Sequence, residues 1–313
     1  MFNGEPLLMR NDIRRILLLG HTGFIGRNLL RRFREFFPTL EVIGCSLPEH
    51  DLTSEKDVRA LAELFDLNTA VLLCSAIKRQ YGDTLEVFLK NQEMVVNLCR
   101  LMCTHPVRRF VYFSSTAVYG EETKNMRITE STPVNPTSFY GIAKYVSECL
   151  LRREMFERKE SSLLILRPPT IYGPEDRAGH YGPSGFVRAA IRGDKITLWG
   201  DGSELREFIF IDDLAKIVCG LTLHEFSGVI NIASGRSYTF VDVVAAVSKV
   251  AACALTVDSR PRSKAKADVA ISNLLLRELF PAVIFTSLEE GIRRTFEAEQ
   301  KLSNAILNRH EIA

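Results

Sequence analysis

Short apolar runs alternate with amphipathic stretches through the first half of the chain. Ile16–Leu19, Leu40–Ile43, Ala70–Leu73, Phe110–Phe113 and Leu163–Leu166 are almost continuous in aliphatic and aromatic residues. That is the pattern of strands buried on both faces. Between them, Phe24–Phe37, Glu55–Phe65 and Thr84–Cys103 repeat apolar residues at helical spacing, with Pro38 and Pro106 punctuating the ends. A further helix is expected to start at Asn135-Pro136, read as cap and first turn, and to run to about Arg158. Alternating β and α units of this length predict an α/β chain, a parallel sheet covered by helices on both faces.

After Arg167-Pro168-Pro169 the texture changes. Glycine and proline become frequent through Tyr172–Gly185, the strands shorten and the alternation loses its regularity. The chain is therefore read as a domain over residues 13–168 and a smaller lobe over 169–300, with room for segments that return to the sheet. The tail beyond Lys301 is expected to fray.

The chain of 313 residues is 46% hydrophobic and 25% charged, which argues against disorder. Forty Lys and Arg against 38 Asp and Glu leave a net charge of +2, so no global field recruits nucleic acid or an anionic membrane. No uncharged apolar run approaches the roughly 18–20 residues of a membrane helix. Glu5 and a three-residue apolar patch make the first residues a poor secretory signal. Seven scattered cysteines read as reduced, buried thiols of a cytoplasmic protein. Cys99 and Cys103 are four apart on a helix, but nothing completes a metal site around them, so no metal is expected.

Chemistry enters with the loop after the first strand. Gly20, Gly23 and Gly26 frame Gly20-His21-Thr22-Gly23-Phe24-Ile25-Gly26, and a helix begins inside it. Glycines there let the backbone turn and approach a pyrophosphate held on the helix N-terminus, so the loop is a candidate dinucleotide site. An acid at the end of the second strand ordinarily bonds the adenine ribose of NAD. Ser46 stands there instead, in Gly44-Cys45-Ser46, and the choice between NAD and NADP leans slightly to NADP. Arg27 could reach a 2′-phosphate. Asp51 and Leu52 suit an adenine-edge contact, while a helix cap at Asp51 or Thr53 is the competing assignment.

Tyr140 and Lys144, in Tyr140-Gly141-Ile142-Ala143-Lys144, share a helical face. A phenol with a pKa near 10 needs a neighbouring cation before it can move protons at neutral pH. Ser114 and Ser115 follow the fourth strand, where a hydroxyl can bond the substrate oxygen on which the phenol acts.

With these motifs the sequence resembles the extended short-chain dehydrogenases, specifically the NAD(P)-dependent nucleotide-sugar epimerase/dehydratase/reductase family. The resemblance spans about residues 15–297 and rests on GHTGFIG at 20–26, FSSTAVYG at 113–120, YGIAK at 140–144, LRPPTIYGP at 166–174 and GDGSELREFIFIDDL at 200–214. It implies a Rossmann-type, doubly wound parallel sheet with a smaller C-terminal α/β substrate lobe. It also implies Ser115, 25 residues before Tyr140, as the catalytic hydroxyl, with Tyr140 and Lys144 completing the set. Lys78 and Pro168 would lie at the cofactor, and Asn91, Thr116 and Thr170 at the substrate. Arg206 would grip a nucleotide diphosphate through its planar fork, unless it forms an ion pair with Glu204 or Glu207. A second cation would come from Arg260, Arg262, Lys264 or Lys266, with Arg262 favoured.

The resemblance also bears on the reaction. The family's dehydratases carry Asp-Glu where this chain has Thr116-Ala117, so 4,6-dehydration is disfavoured. Its 3,5-epimerase/4-reductases place a cysteine at the Ala117 position and a histidine near Ser184, with His180 the nearest candidate here. What remains is hydride chemistry at C4 of a nucleoside-diphosphate sugar, as a 4-epimerase or alternatively an NADPH-dependent 4-ketoreductase. A catalytically silent dinucleotide sensor or scaffold is the alternative of another class. Apolar positions on Thr84–Cys103 and Pro136–Arg158 beyond a single stripe suggest a homodimer through a four-helix bundle.

Overall fold

The computed structural model of the chain describes residue 10 and residues 12–120, 124–177, 181–262 and 265–310. The first half contains β1 (Arg15–Leu19), α1 (Phe24–Phe36), β2 (Glu41–Cys45), α2 (Glu55–Arg59), β3 (Thr69–Leu73), α3 (Leu85–Thr104), β4 (Arg109–Phe113), β5 (Asn125–Ile128), α4 (Phe139–Met155) and β6 (Ser162–Arg167). The second half contains β7 (Thr170–Tyr172), α5 (Pro183–Arg192), β8 (Ile196–Trp199), β9 (Leu205–Phe210), α6 (Ile211–Leu223) and β10 (Gly228–Asn231). It ends with β11 (Ser237–Thr239), α7 (Phe240–Ala251), β12 (Val257–Arg260), β13 (Val269–Ile271), α8 (Leu274–Leu279) and α9 (Leu288–His310).

Six strands form one parallel sheet in the order β10-β6-β4-β3-β1-β2. Successive side chains of a strand point to opposite faces, and the core divides accordingly. Ile16, Leu18, Leu72 and Val111 pack with α1 and α6, whereas Leu17, Leu19, Val71 and Phe110 pack with α2, α3 and α4. The chain leaves β1 in one direction to β2 and in the other to β3, which opens a crevice at the strands' carboxyl ends.

The boundary near residue 168 is crossed twice. Beyond it, α6 covers the sheet and β10 extends it along β6, Gly228 opposite Leu164. In the other direction, β5 leaves the first half to pair with β13. The smaller lobe is built on the β11-β9-β7 sheet, the β8–β12 pair and helices α5, α7 and α9.

Two helices differ from the sequence expectation. The helix expected at Asn135-Pro136 begins only at Phe139, because Ser138 accepts the Gly141 N–H at 3.0 Å and acts as the cap. The Glu55–Phe65 helix splits into α2 and a single turn at Ala62–Leu64. The expectation of buried thiols holds for Cys45 and Cys219 alone. Cys74 and Cys99 are half-buried, while Cys103, Cys149 and Cys253 are exposed, since helical spacing also places cysteines on outer faces. Among the described residues no group of His, Cys, Asp and Glu could hold a metal ion. No described helix is long and apolar enough to cross a membrane.

Candidate active site

The glycine loop joins β1 to α1 at the crevice. Gly20 has φ +92°, and a Cβ there would lie 2.5 Å from the Ser75 hydroxyl. A Cβ on Gly26 would lie 2.2 Å from the Gly20 carbonyl oxygen. These glycines let the loop fold on itself. Gly23 caps α1 without any side-chain hydrogen bond, and the first turn carries no acid. The N-terminus of α1 therefore keeps its positive end for an anion. A tightly wound loop at the switch point, with no side-chain cap on the helix, has the form that suits a dinucleotide pyrophosphate.

At the expected adenine end, the residues named from the sequence have partners within the chain. Ser46 accepts the Thr22 N–H at 3.2 Å and bonds His21 Nδ1 at 2.9 Å, so it braces the loop. Arg27 pairs with Glu175 at 2.5 Å and donates to the Gly23 and Thr22 carbonyls, which ties its guanidinium to the loop. Leu52 is buried in the core, and the Asp51 carboxylate accepts from the Thr53 amide and hydroxyl at 2.9 and 2.7 Å. The α2 cap is Ser54, so neither Asp51 nor Thr53 performs that task.

Ser115, Tyr140 and Lys144 converge on a cleft of about 690 Å³ that also reaches Lys78, Thr116, Pro168, Thr170, Arg206 and Arg262. Tyr140 stands in the first turn of α4, where the Asp83 carboxylate accepts its amide N–H at 3.1 Å. Lys144 follows one turn later. Its ammonium lies 5.7 Å from the Tyr140 ring centroid and donates to the Phe113 carbonyl at 2.6 Å. Burial lowers this ammonium to about 8, and the charge of Lys78 pushes the same way. Near neutral pH it is still charged, as support of a phenolate requires.

Ser114 and Ser115 have separate tasks. Ser114 points inward and donates to Glu148 at 2.5 Å. Ser115 begins the turn Thr116–Tyr119, accepts the Ala117 N–H at 3.2 Å and opens on the cleft. The next amide, of Thr116, donates to the Pro168 carbonyl at 3.1 Å. Glu148 is fully buried and receives Arg167 through two bonds of 2.9 and 2.5 Å. Burial works against charge on Arg167, and the Glu148 carboxylate overrides it, raising the guanidinium above its usual range. This pair lay outside the sequence reading, although Glu148 stands one helical turn after Lys144. Cys74 also lines the cleft, but burial pushes its thiol up to about 12, which keeps it protonated.

Asn91 lines a small pocket together with Tyr140 and Lys144. Its amide accepts the Ile77 N–H at 2.9 Å and donates to the Ile77 carbonyl at 3.0 Å, so it holds the segment before Lys78. The Lys78 ammonium sits 5.8 Å from the Phe24 ring centroid at the cleft.

In the same cleft, Arg206 on β9 and Arg262 after β12 both pair with the Glu204 carboxylate. Arg206 also donates to the Ala267 carbonyl. Glu207 does not serve as the expected alternative partner: it is buried behind β9 and accepts from Gly235 N–H and the Ser234 hydroxyl at 2.7 and 3.0 Å. Arg260 stacks on Trp199 at 3.4 Å from the ring centroid, and Lys266 pairs with Asp268 at 3.4 Å. Ala117 presents a methyl group, and Ser184 is buried, accepting the Gly173 N–H at 3.2 Å. Lys264 and His180 lie outside the described residues.

The family model described as "NAD dependent epimerase/dehydratase family" matches residues 16–233. An uncharacterized UDP-glucose epimerase of Bacillus subtilis is 25% identical over 89% of this chain and 95% of its own length. The solved UDP-glucose 4-epimerase of Thermus thermophilus, in complex with NAD, is 26% identical with a TM-score of 0.77, covering 91% of this chain and 98% of that one. The UDP-glucose 4-epimerase of Thermotoga maritima with UDP-glucose has the same fold, at a TM-score of 0.82 and 22% identity over 92% of this chain and 99% of that one.

Proposed function

Because the chain belongs to the NAD dependent epimerase/dehydratase family, we propose that it is a nucleoside-diphosphate-sugar 4-epimerase that works by hydride transfer at C4. One observation carries the reading: Ser115, Tyr140 and Lys144 line the same cleft as Arg206 and Arg262. One set moves protons and the other holds phosphate charge. A nicotinamide dinucleotide, when bound, would supply the hydride acceptor and donor for C4.

The chain's own residues do the rest. Tyr140 takes the C4 hydroxyl proton as the hydride departs and gives it back when the new stereocentre forms. Lys144⁺ stabilises the phenolate and, in the family manner, the nicotinamide ribose. Ser115 bonds the same sugar oxygen and fixes its distance from Tyr140. Neither Thr116 nor Ala117 supplies a carboxylic acid, which removes the chemistry for 4,6-dehydration. UDP sugars are the first substrates to test, since the relatives above are described as UDP-glucose epimerases.

For the cofactor, Ser46 puts no negative charge beside the adenine ribose, so a 2′-phosphate meets no repulsion there. The adenine end is read as accepting NADP as well as NAD. The Thermus relative was solved with NAD. The free thiols of Cys103, Cys149 and Cys253 fit a reducing cytoplasm. Exposed Leu85, Leu89, Phe139 and Leu150 on α3 and α4 support a homodimer through these helices.

The deciding experiment combines a mass spectrum of the copurifying nucleotide with a UDP-glucose/UDP-galactose conversion assay. Tightly held NAD⁺ with interconversion supports the epimerase. Stoichiometric consumption of NADPH on a 4-keto sugar would replace it with the reductase, and dinucleotide binding without turnover of a sugar-nucleotide panel with the sensor.

A further inference from the structure

The two arginines that line the cleft with the catalytic trio already share an anion. Arg206 and Arg262 approach from different strands, yet each directs a guanidinium nitrogen to a different oxygen of the Glu204 carboxylate. Glu204 is largely buried at 13% side-chain exposure and lies on the cleft wall itself. Two half-buried guanidiniums in one place repel each other and lose hydration, so an anion between them offsets a substantial cost. Arg262 keeps a donor in reserve. Arg262 Nη2 is buried without a hydrogen bond among the described residues, and Asp201 pairs with it at 3.8 Å. Asp201 is 74% exposed and adds only this longer pair, so the buried Nη2 remains a donor for an incoming anion.

We propose that Glu204 is an internal counter-anion that occupies the seat of the substrate's diphosphate and is displaced when the substrate binds. The inference rests on the reading of the substrate as a nucleoside-diphosphate sugar. A carboxylate bridges the arginines at an effective concentration that a dilute external anion must overcome. A diphosphate brings two phosphate groups, so each arginine gains a bidentate partner where it had shared one carboxylate. Glu204 thereby keeps the empty cleft neutralised and raises the threshold for ligands carrying less charge. Its position at the end of the Gly200–Glu204 turn, ahead of β9, confines the displacement to a loop. Glu204 is a positioning and selectivity residue in this scheme and touches no reacting atom.

The test is calorimetric titration of UDP, GDP and uridine into the full chain and into Glu204→Gln, which keeps the shape and removes the charge. The inference expects UDP or GDP to bind the variant about tenfold or more tightly, with steeper salt dependence and unchanged uridine affinity. If Glu204 instead orients the arginines around a bound ligand, the variant binds the nucleotide no better or worse than the wild type. That result overturns the inference and leaves the substrate class standing. If neither UDP nor GDP binds either protein, the diphosphate reading falls and takes the inference with it. Glu204→Ala, checked by thermal melting, answers the same question should the glutamine variant misfold.

Discussion

The Lys144 ammonium is fastened to the Phe113 carbonyl oxygen at 2.6 Å, so the helix bearing Tyr140 is pinned to the end of the strand that leads into Ser115. Lys144 therefore holds the trio together as well as charging it. Tyr140→Phe keeps the ring and its packing and removes only the proton carrier. Turnover should fall about 10²–10⁴-fold with dinucleotide affinity nearly unchanged. Single-turnover kinetics beside a cofactor titration measure both, and an active variant would sink the mechanism.

The glycine loop makes a separable prediction. A Cβ on Gly23 meets only the Gly20 carbonyl oxygen, at 3.3 Å, whereas one on Gly26 would press to 2.2 Å of that oxygen and 2.7 Å of His21 Cα. Gly23→Ala should fold and lose dinucleotide affinity, while Gly26→Ala should lower the melting temperature as well. Melting curves with and without cofactor separate the two. Equal behaviour would mean that the loop is read wrongly.

Arg206→Ala should raise KM about ten- to a hundredfold and leave kcat nearly intact, because it removes a contact made equally in ground and transition states. Arg206→Lys should recover part of the loss, since an ammonium lacks the paired fork. An unchanged KM on a good sugar-nucleotide substrate would move the diphosphate away from β9.

Glu207 predicts a pH effect on stability. Burial pushes its carboxyl up to about 7 from an ordinary 4.5, despite the Gly235 and Ser234 donors. The folded state thus holds a proton that the unfolded chain releases at lower pH. The resulting stabilisation is complete below about pH 4.5 and is lost as the pH rises through about 7. Relative to Glu207→Gln, the wild type should lose melting temperature steadily across that window and hold a constant gap above it. Paired melts from pH 5 to 8 give the slope. A difference that does not vary with pH would mean that Glu207 stays ionised.

The exposed row on α3 and α4 is tested by size. Leu85 and Leu89 are 56% and 55% exposed, and Phe139 and Leu150 lie on the neighbouring helix. Light scattering at micromolar concentration should give a dimer mass, and Leu89→Asp with Leu150→Asp should halve it. A monomeric wild type would retire the interface.

How far the sequence carried varies with the kind of interaction. The strands and their flanking helices were legible because burial on two faces leaves continuous apolar runs, as at Ile16–Leu19. Local helix starts were less so: Asn135-Pro136 is a good cap on paper, yet Ser138 wins by bonding Gly141. Tyr140 and Lys144 were legible from their helical spacing, Ser115 and Arg206 through the family resemblance, and the structure brings all four to one cleft. The use of Asn91 on Ile77 and the double claim on Glu204 were not, because both depend on which backbone or side chain arrives from elsewhere. Arg206 and Glu204 are near neighbours in sequence, but Arg262 reaches them from 58 residues on.

The late return of β10 has a consequence for synthesis. By Arg167 a nascent chain contains β1, β2, β3, β4 and β6, the glycine loop, and the Tyr140 and Lys144 positions. Yet β6 then has an open hydrogen-bonding edge until Gly228–Asn231 emerges some sixty residues later. Asn231, at the end of β10, also accepts the Tyr119 hydroxyl at 2.8 Å and donates its backbone N–H to Glu130 at 2.9 Å. An unpaired interior strand is a template for association with another chain. A fragment ending at residue 168 would carry every expected cofactor contact and still be sticky. The Ser115, Tyr140 and Lys144 positions are encoded early, before the sheet is shut from the far end.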